Sequence, residues 1–184
     1  MAEFGFGPCS REDEYVYGAQ RPGFPGKFVQ KQLIDQWLGL MRKQEISRVV
    51  CLLPEEELGY YPTITGGLLG AYVEAFGEGS VLWAPTKDRS LLSGEAVKHI
   101  CIFLYDALNS GQKTVIHCSA GLGRTGQALA AWLVFYHNLS ERKAIRTVEE
   151  LNRSPMEAVF HRNATEADLL KVLGVAREMD KPSL

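Results

Sequence analysis

The residues best suited to chemistry lie together, in the segment His117-Cys118-Ser119-Ala120-Gly121-Leu122-Gly123-Arg124-Thr125-Gly126. A short apolar, β-branched run precedes this segment and a helical pattern follows it, which places it at the carboxyl end of a buried strand, where α/β sheets bind ligands. The internal glycines allow a tight curl in which successive backbone N–H groups converge. The following helix adds the positive end of its dipole. Such a cup favours an anion with several oxygens.

Two side chains would make this cup reactive. Cys118 lies at its base, where amides and helix dipole favour the thiolate, the nucleophilic form of cysteine. Arg124 carries a planar fork of donors that can hold two oxygens of a phosphoryl group over the sulfur and stabilise developing charge. We therefore infer a phosphoenzyme mechanism. We expect the bound anion to be surrounded by Ser119, Ala120, Gly121, Leu122, Gly123 and Arg124.

Other interpretations of this segment have to be weighed. A single buried cysteine at a strand end is more often a packing residue than a nucleophile. Glycine-rich turns between strand and helix also bind nucleotides. Here, however, the Lys-Ser/Thr pair of a P-loop is absent, and a cysteine-to-arginine spacing fits no dinucleotide fingerprint.

Composition excludes several classes of protein. Hydrophobic residues make up 46% and charged residues 23% of the 184 residues, as in soluble globular domains. The net charge of −2 argues against a nucleic acid or an anionic membrane as partner. The longest apolar run, Ala128 to Tyr136, is too short to span a bilayer, and the first residues do not resemble a signal peptide. We expect a cytoplasmic monomer.

The cysteines give no sign of a disulfide framework or a zinc site. They are widely and irregularly spaced, at Cys9, Cys51, Cys101 and Cys118. With no other cluster of histidine, cysteine and carboxylate, we expect neither a metal nor a cofactor.

Short apolar strands alternate with amphipathic helices along the chain. Strands are predicted at 48–53, 80–83 and 114–117, with a short edge strand at 15–17, and helices at 29–42, 68–76, 94–109, 124–136, 141–151 and 166–177. This order predicts a single α/β domain with a short, mainly parallel sheet flanked by helices on both faces. We place the domain at 15–184 and expect residues 1–14 to be loosely held.

At residues 117–126 the chain resembles the signature loop of the cysteine-dependent protein tyrosine phosphatase superfamily. Its length is similar to that of the compact dual-specificity branch. A looser similarity to cyclin-dependent-kinase-associated and Cdc14-like phosphatases extends from Tyr17 to Leu151 and includes the strand ending in Cys51 and the stretch from Trp83 to Ser93.

The resemblance implies an acid that protonates the leaving oxygen, about thirty residues before the cysteine. Asp88, in Trp83-Ala84-Pro85-Thr86-Lys87-Asp88-Arg89, matches that position. An exposed loop acid without a role is the alternative for Asp88. Asp106 lies within a predicted helix and is a poorer candidate. Cys118 would attack phosphorus while Asp88 protonates the leaving group, and water would then hydrolyse the phosphocysteine with Asp88 as base.

Further residues receive roles from the same resemblance. Thr125 matches the hydroxyl residue that hydrogen-bonds the sulfur and helps it leave. We expect His117 to orient the loop and to favour the thiolate, and Asn152 to support the phosphate loop. Cys51 is a candidate partner for a reversible disulfide with Cys118, with core packing as the alternative.

The expected substrate is a phosphorylated protein. The cup interior is neutral, whereas lipid phosphatases of the superfamily tend to carry extra lysines there. No tyrosine-clamping motif is evident, which favours phosphoserine and phosphothreonine beside phosphotyrosine. Alternatives are a phosphoinositide or RNA 5′-end phosphatase, or a phosphate-binding pseudophosphatase. Four basic residues are candidates to surround the entrance or to form an ordinary solvated surface: Arg21, Lys87, Arg89 and Arg153.

The chain departs from the family after the predicted helix at 141–151. The segment 152–159, Asn-Arg-Ser-Pro-Met-Glu-Ala-Val, occupies the place of an Arg-Pro-Gly-type loop. No glutamine follows it, so the residue that orients the attacking water is not identified by the family pattern.

Overall fold

A computed structural model describes residues 3–181. Its strands are β1 (Gly7–Pro8), β2 (Val16–Gln20), β3 (Ile46–Cys51), β4 (Val81–Trp83) and β5 (Lys113–Cys118). Its α-helices are α1 (Lys31–Lys43), α2 (Glu55–Leu58), α3 (Gly67–Phe76), α4 (Gly94–Asn109), α5 (Gly123–Phe135), α6 (Glu141–Glu149), α7 (Glu157–Phe160) and α8 (Glu166–Arg177). Within the described residues, no helix combines the length and the apolar character needed to cross a membrane.

The strands form one sheet in the order β1-β2-β5-β3-β4. The strands β2, β5, β3 and β4 are parallel, and β1 alone runs antiparallel. Cys118 is paired with Gln20 of β2, and His117 with Cys51 of β3. The strand that ends in Cys118 is therefore central, and its carboxyl end lies between the ends of two neighbours. The predicted mainly parallel α/β sheet is confirmed.

Each face of the sheet has its own core. On one face α1 and α3 pack through Trp37 and Tyr72 against Val49, Cys51 and Val115. On the other face α4, α5, α6 and α8 cover Val50, Ile116 and Cys118. The alternation of neighbouring strand residues between the two cores is the period-two geometry of a strand. Every residue of α5 is buried, which fixes the helix that follows the cup.

Helix termini agree with their sequence signals. Ser140, a residue type favoured at helix starts, precedes α6 and accepts a hydrogen bond from the N–H of Lys143 at 3.4 Å. Thr165 and Asp168 form a capping box at the start of α8.

The amino-terminal segment differs from expectation. Residues 1–14 were expected to be loosely held, but the described part packs on the sheet: Gly7 pairs with Gly18, and the rings of Phe6 and Tyr17 stack with centroids 4.9 Å apart. The side chain of Asp13 accepts from the N–H of Val16 at 2.8 Å. Because β1 covers the outer side of β2, residues 15–17 do not form the sheet edge that the sequence suggested.

Candidate active site

The cup begins where β5 ends. Cys118 is 3% exposed and belongs to the core beneath α5, and the loop from Ser119 to Leu122 follows it before α5 starts at Gly123. Neighbouring segments hold the strand end in place, since the N–H of Leu52 donates to the carbonyl of His117 at 2.9 Å. The sequence's strand–cup–helix arrangement is therefore what the structure contains.

The carbonyl oxygens of the cup loop are bound by groups outside it. The backbone N–H of Arg21 donates to those of Cys118 and Ser119 at 3.0 and 3.1 Å. Arg153 Nη1 donates to that of Gly121 at 2.6 Å. Across a planar trans peptide, the following N–H points opposite to the carbonyl. The amides of Ser119, Ala120 and Leu122 are thereby directed toward the other side of the loop, forming an anion-binding concavity.

Gly121 has a strict reason to be glycine. Its φ of +70° is a left-handed conformation, and a Cβ at this position would lie 2.5 Å from the carbonyl oxygen of Ala19. A side chain would therefore push the loop off β2.

Arg124 lies over the cup and is 1% exposed. Its Nη1 donates to the carbonyl of Thr86 at 3.0 Å, and its Nη2 donates to Glu57 Oε1 at 3.1 Å and to Asp88 Oδ1 at 2.9 Å. Nε is buried and has no partner among residues 3–181. Burial acts to lower the pKa of Arg124, but the acidic groups around it, Cys118, Glu57 and Asp88, raise it overall. The guanidinium is thus charged and holds one donor free for an oxyanion.

Asp88, which the sequence suggests as the acid, is connected to the cup by its contact with Arg124. Its side chain is 54% exposed, so it faces both solvent and the guanidinium. Two side chains from elsewhere hold its loop: Gln127 Oε1 accepts from the N–H of Leu92 at 2.9 Å, and Asn163 Nδ2 donates to the carbonyl of Arg89 at 2.9 Å.

The poorer candidate for the acid, Asp106, lies away from the cup. Asp106 forms an ion pair with Arg48 near the start of β3, at the opposite end of the strand from the cup.

The comparisons with known proteins agree with this geometry. The family model described as "Polymorphic toxin system, DSP-PTPase phosphatase" matches residues 34–138, more than half of the chain. The chain belongs to this family. No match was found among curated proteins.

Solved phosphatase structures share the fold. A mutant form of Tk-PTP is 26% identical, with 91% of this chain and 92% of that chain covered and a TM-score of 0.63. PTPMT1 in complex with PI(5)P is 18% identical, with 96% of each chain covered and a TM-score of 0.67. Kinase associated phosphatase, with its catalytic-site cysteine replaced by serine, is 21% identical, with 85% and 87% covered and a TM-score of 0.66.

In this phosphatase, Thr125 is fully buried in the first turn of α5. Its Oγ1 has no hydrogen-bond partner in the described part of the chain. A buried hydroxyl without a partner is uncommon and calls for a specific reason. Thr125 follows Arg124 directly, and the sequence resemblance predicts that its hydroxyl hydrogen-bonds the sulfur.

His117 is fully buried and holds the end of β5 rather than titrating. Burial lowers its pKa to about 3, so the imidazole is neutral near pH 7. Its Nε2 lies 3.0 Å from the hydroxyl of Tyr72 and its Nδ1 lies 3.2 Å from the carbonyl of Cys118. With Nδ1 as the donor, Nε2 accepts from the tyrosine hydroxyl. The ring therefore fixes the orientation of the peptide that follows the nucleophile.

Sequence reasoning missed Glu57. This residue is 8% exposed, and its carboxylate contacts Arg124 with both oxygens, Oε2 at 3.3 Å. Its position after the end of β3 was a usable signal, because the carboxyl ends of parallel strands converge. Three consecutive glutamates there gave no indication of which one points inward.

Two of the four basic residues considered for the entrance are buried instead. Arg21 is 1% exposed and donates from Nε to Ser119 Oγ at 2.9 Å, and Arg153 is 8% exposed beneath the loop. Both bind loop oxygens from outside the cup. Lys87 and Arg89 are exposed, as expected.

Among the described residues, neither the side chain of Asn152 nor that of Cys51 makes a hydrogen bond to the cup loop. Asn152 is exposed, with a φ of +62°, and it is its neighbour Arg153 that contacts the phosphate loop. Cys51 is a free, fully buried thiol in the core on the opposite sheet face from Cys118. Burial raises its pKa to about 12, and Arg124 and Cys118 are near enough to act on it electrostatically. The reversible disulfide with Cys118 and the packing role both stay predictions.

Proposed function

We propose that this phosphatase hydrolyses phosphate monoesters on protein side chains, phosphotyrosine together with phosphoserine and phosphothreonine, through a phosphocysteine on Cys118. The observation that carries the proposal is a set of hydrogen-bond donors around the cup. The loop N–H groups point away from the carbonyls that are bound outside the loop, and Nε of Arg124 is buried without a partner among residues 3–181. These donors suit the oxygens of a phosphoryl group held above the sulfur of Cys118.

In the first step the Cys118 thiolate attacks phosphorus and the bond from phosphorus to the ester oxygen breaks. Asp88, which takes up a proton from solvent once the phosphoryl group has displaced its carboxylate from Arg124, gives that proton to the ester oxygen, which leaves as an alcohol or phenol. The loop amides and Arg124 stabilise the charge on the equatorial oxygens, and a single such donor is typically worth about 10²–10³ in rate.

In the second step water attacks the phosphocysteine. Asp88, now a carboxylate, accepts a proton from that water, inorganic phosphate forms, and the sulfur leaves as a thiolate. The Thr125 hydroxyl donates a hydrogen bond to the departing sulfur. Its buried Oγ1, without a partner among the described residues, is available for this contact.

The charge around the cup supports a protein substrate. Because Arg21 and Arg153 are buried beneath the loop, Lys87 and Arg89 are left as the basic candidates at the entrance. Arg89 also lies 3.8 Å from Asp88, which reduces its field. A headgroup with several phosphates gains more from a strongly basic entrance than one phosphorylated side chain does.

A phosphoinositide is the second candidate. It is favoured by the fold likeness to PTPMT1 in complex with PI(5)P. The neutral cup interior, Ser119-Ala120 and Leu122-Gly123, counts against it.

A substrate panel tests the proposal. Wild type and Cys118→Ser would be assayed for phosphate release from phosphotyrosine, phosphoserine and phosphothreonine peptides, a phosphoinositide and a 5′-phosphorylated RNA. We expect release from the peptides by wild type alone, with an unchanged melting temperature for Cys118→Ser. Faster release from the phosphoinositide or RNA would replace the proposed substrate class, and activity of Cys118→Ser would refute the phosphocysteine.

A further inference from the structure

Arg153 connects three separate parts of the backbone. Its Nη1 donates to the carbonyl of Gly121 in the cup loop at 2.6 Å. Its Nη2 donates to the carbonyl of Gly18 in β2 at 2.8 Å and to that of Gly5 at 3.0 Å. The side chain is 8% exposed, so these contacts are made away from bulk water. Buried hydrogen bonds from a charged donor are strong and directional.

The contact with Gly121 fixes the direction of one amide. The Gly121 carbonyl points at Arg153, so the N–H of Leu122, on the same planar peptide, points the other way. In the proposed cup, that is the side that receives the oxyanion held by Cys118 and Arg124. Arg153 therefore orients an anion-binding donor without touching the anion.

Arg153 is itself held by the amino-terminal segment, Glu3–Pro8. Gly5 ends a single 3₁₀ turn with a φ of +58°, and this conformation presents its carbonyl to the guanidinium. The segment is anchored by the pairing of Gly7 with Gly18. At Gly18 a Cβ would lie 3.0 Å from Arg153 Nη2, so glycine here leaves room for the guanidinium.

We propose that the Gly5 carbonyl is part of the apparatus that builds the phosphate cup: it fixes Arg153, and Arg153, as a positioning residue, turns the Leu122 amide toward the oxyanion. This inference rests on the proposed function, because it assigns these residues to the same site. The residues before β1 thereby have a role in oxyanion affinity, although they lie far from Cys118 in the sequence.

Variants of the 184-residue chain separate this role from simple packing. Gly5→Pro withdraws the carbonyl, because proline cannot adopt a positive φ. Phe6→Ala is the matched control, since it removes the stacking on Tyr17 but keeps the Gly5 carbonyl. Arg153→Met removes charge and donors, whereas Arg153→Lys keeps the charge but cannot bridge the same three carbonyls.

The measurements are the dissociation constant for tungstate, KM and kcat for an aryl phosphate, and the backbone amide shift of Leu122 in the protein without ligand. We expect tungstate binding to weaken about three- to tenfold in Gly5→Pro and about tenfold or more in both Arg153 variants. Phe6→Ala should stay within about twofold of wild type, the margin that a lost surface contact allows. The Leu122 amide shift should move in Gly5→Pro and in both Arg153 variants.

The outcomes are distinguishable. If wild type fails to bind tungstate, the proposed function fails, and the Leu122 shift still tests the positioning by Arg153. If wild type binds but Gly5→Pro leaves affinity and shift unchanged, the role of the Gly5 carbonyl is refuted. If Arg153→Lys matches wild type, the charge rather than the bridge is what matters, and the positioning role is overturned.

Discussion

Arg124 Nη2 donates to Asp88 Oδ1 at 2.9 Å, so the arginine proposed to bind the phosphoryl group and the candidate acid are in direct contact. The same nitrogen contacts Glu57 Oε1 at 3.1 Å, and Nη1 contacts the Thr86 carbonyl. A phosphoryl group that uses Nε and Nη2 as a fork must therefore compete with Asp88. Displacement of the carboxylate from the guanidinium would release it toward the leaving oxygen.

The first prediction concerns affinity. Asp88→Ala should bind tungstate several-fold more tightly than wild type, because a competing anion is removed from Nη2. Isothermal titration calorimetry at low ionic strength measures this directly. Asp106→Ala is the control, since it removes a carboxylate that is paired with Arg48 away from the cup. Unchanged or weaker binding by Asp88→Ala would show that the contact does not compete with the anion.

The second prediction concerns turnover. Asp88→Asn cannot donate a proton, so kcat/KM for a phosphoserine peptide, which reports only the steps up to departure of the leaving group, should fall by about 10²-fold or more. An aryl phosphate with an acidic phenol leaves more readily unprotonated and should lose less. Steady-state kinetics with both substrates gives the comparison. Equal losses with the two substrates would move the acid to another residue.

The third prediction tests Glu57, the residue that sequence reasoning did not find. Glu57→Gln keeps an acceptor near Arg124 but removes the charge, so the guanidinium loses a charged partner typically worth about 1.5–3 kcal/mol. We expect kcat/KM to fall by about tenfold or more, with tungstate affinity changed as well. Glu56→Gln, an exposed neighbour, is the matched control. The same loss in both variants would mean that local charge, and not the contact with Arg124, is responsible.

What the sequence revealed about the site follows from how the site is built. Cys118 and Arg124 lie on one continuous loop whose strand and helix are set by local patterns, so that their proximity could be predicted. Glu57, Arg21 and Arg153 reach the loop from distant segments. Their inward direction depends on strand register and helix packing, which single-sequence patterns do not encode.

The same dependence on distant contacts explains why the sequence did not predict the first strand. The central strands are continuous apolar runs, and the capping box at Thr165 is a local signature, so both were predictable. The strand Gly7–Pro8 has two residues and no periodicity, and only its pairing with β2 defines it. Composition alone therefore suggested a loose segment where the structure has an outer strand.

The fourth prediction uses the pH dependence of stability. The pKa of His117 is lowered by burial from 6.5 to about 3, so the unfolded chain binds a proton between these values that the folded protein does not. Stability is therefore fully present above pH 6.5 and is lost as the pH falls toward 3, by at most about 1.4 kcal/mol per pH unit.

Urea unfolding between pH 7 and pH 4 checks this. The free energy of unfolding of His117→Gln should fall less steeply with decreasing pH than that of wild type, by about one proton. His99→Gln, on an exposed position of α4, should keep the wild-type slope. If the slopes of wild type and His117→Gln coincide, His117 titrates alike in the folded and unfolded states.

The last prediction separates the two chemical steps through Thr125. Its buried hydroxyl has no partner among residues 3–181, and the mechanism uses it only when the sulfur departs from the phosphocysteine. Thr125→Val preserves the shape, so formation of the phosphoenzyme should proceed normally while its hydrolysis slows.

Stopped-flow assays with an aryl phosphate should show a burst of phenol, with kcat lowered about tenfold and kcat/KM nearly unchanged. Thr147→Val, at a half-buried position of α6 away from the cup, should show neither effect. A parallel fall in kcat and kcat/KM without a burst would place Thr125 in the first step, because kcat/KM reports only the steps up to loss of the phenol.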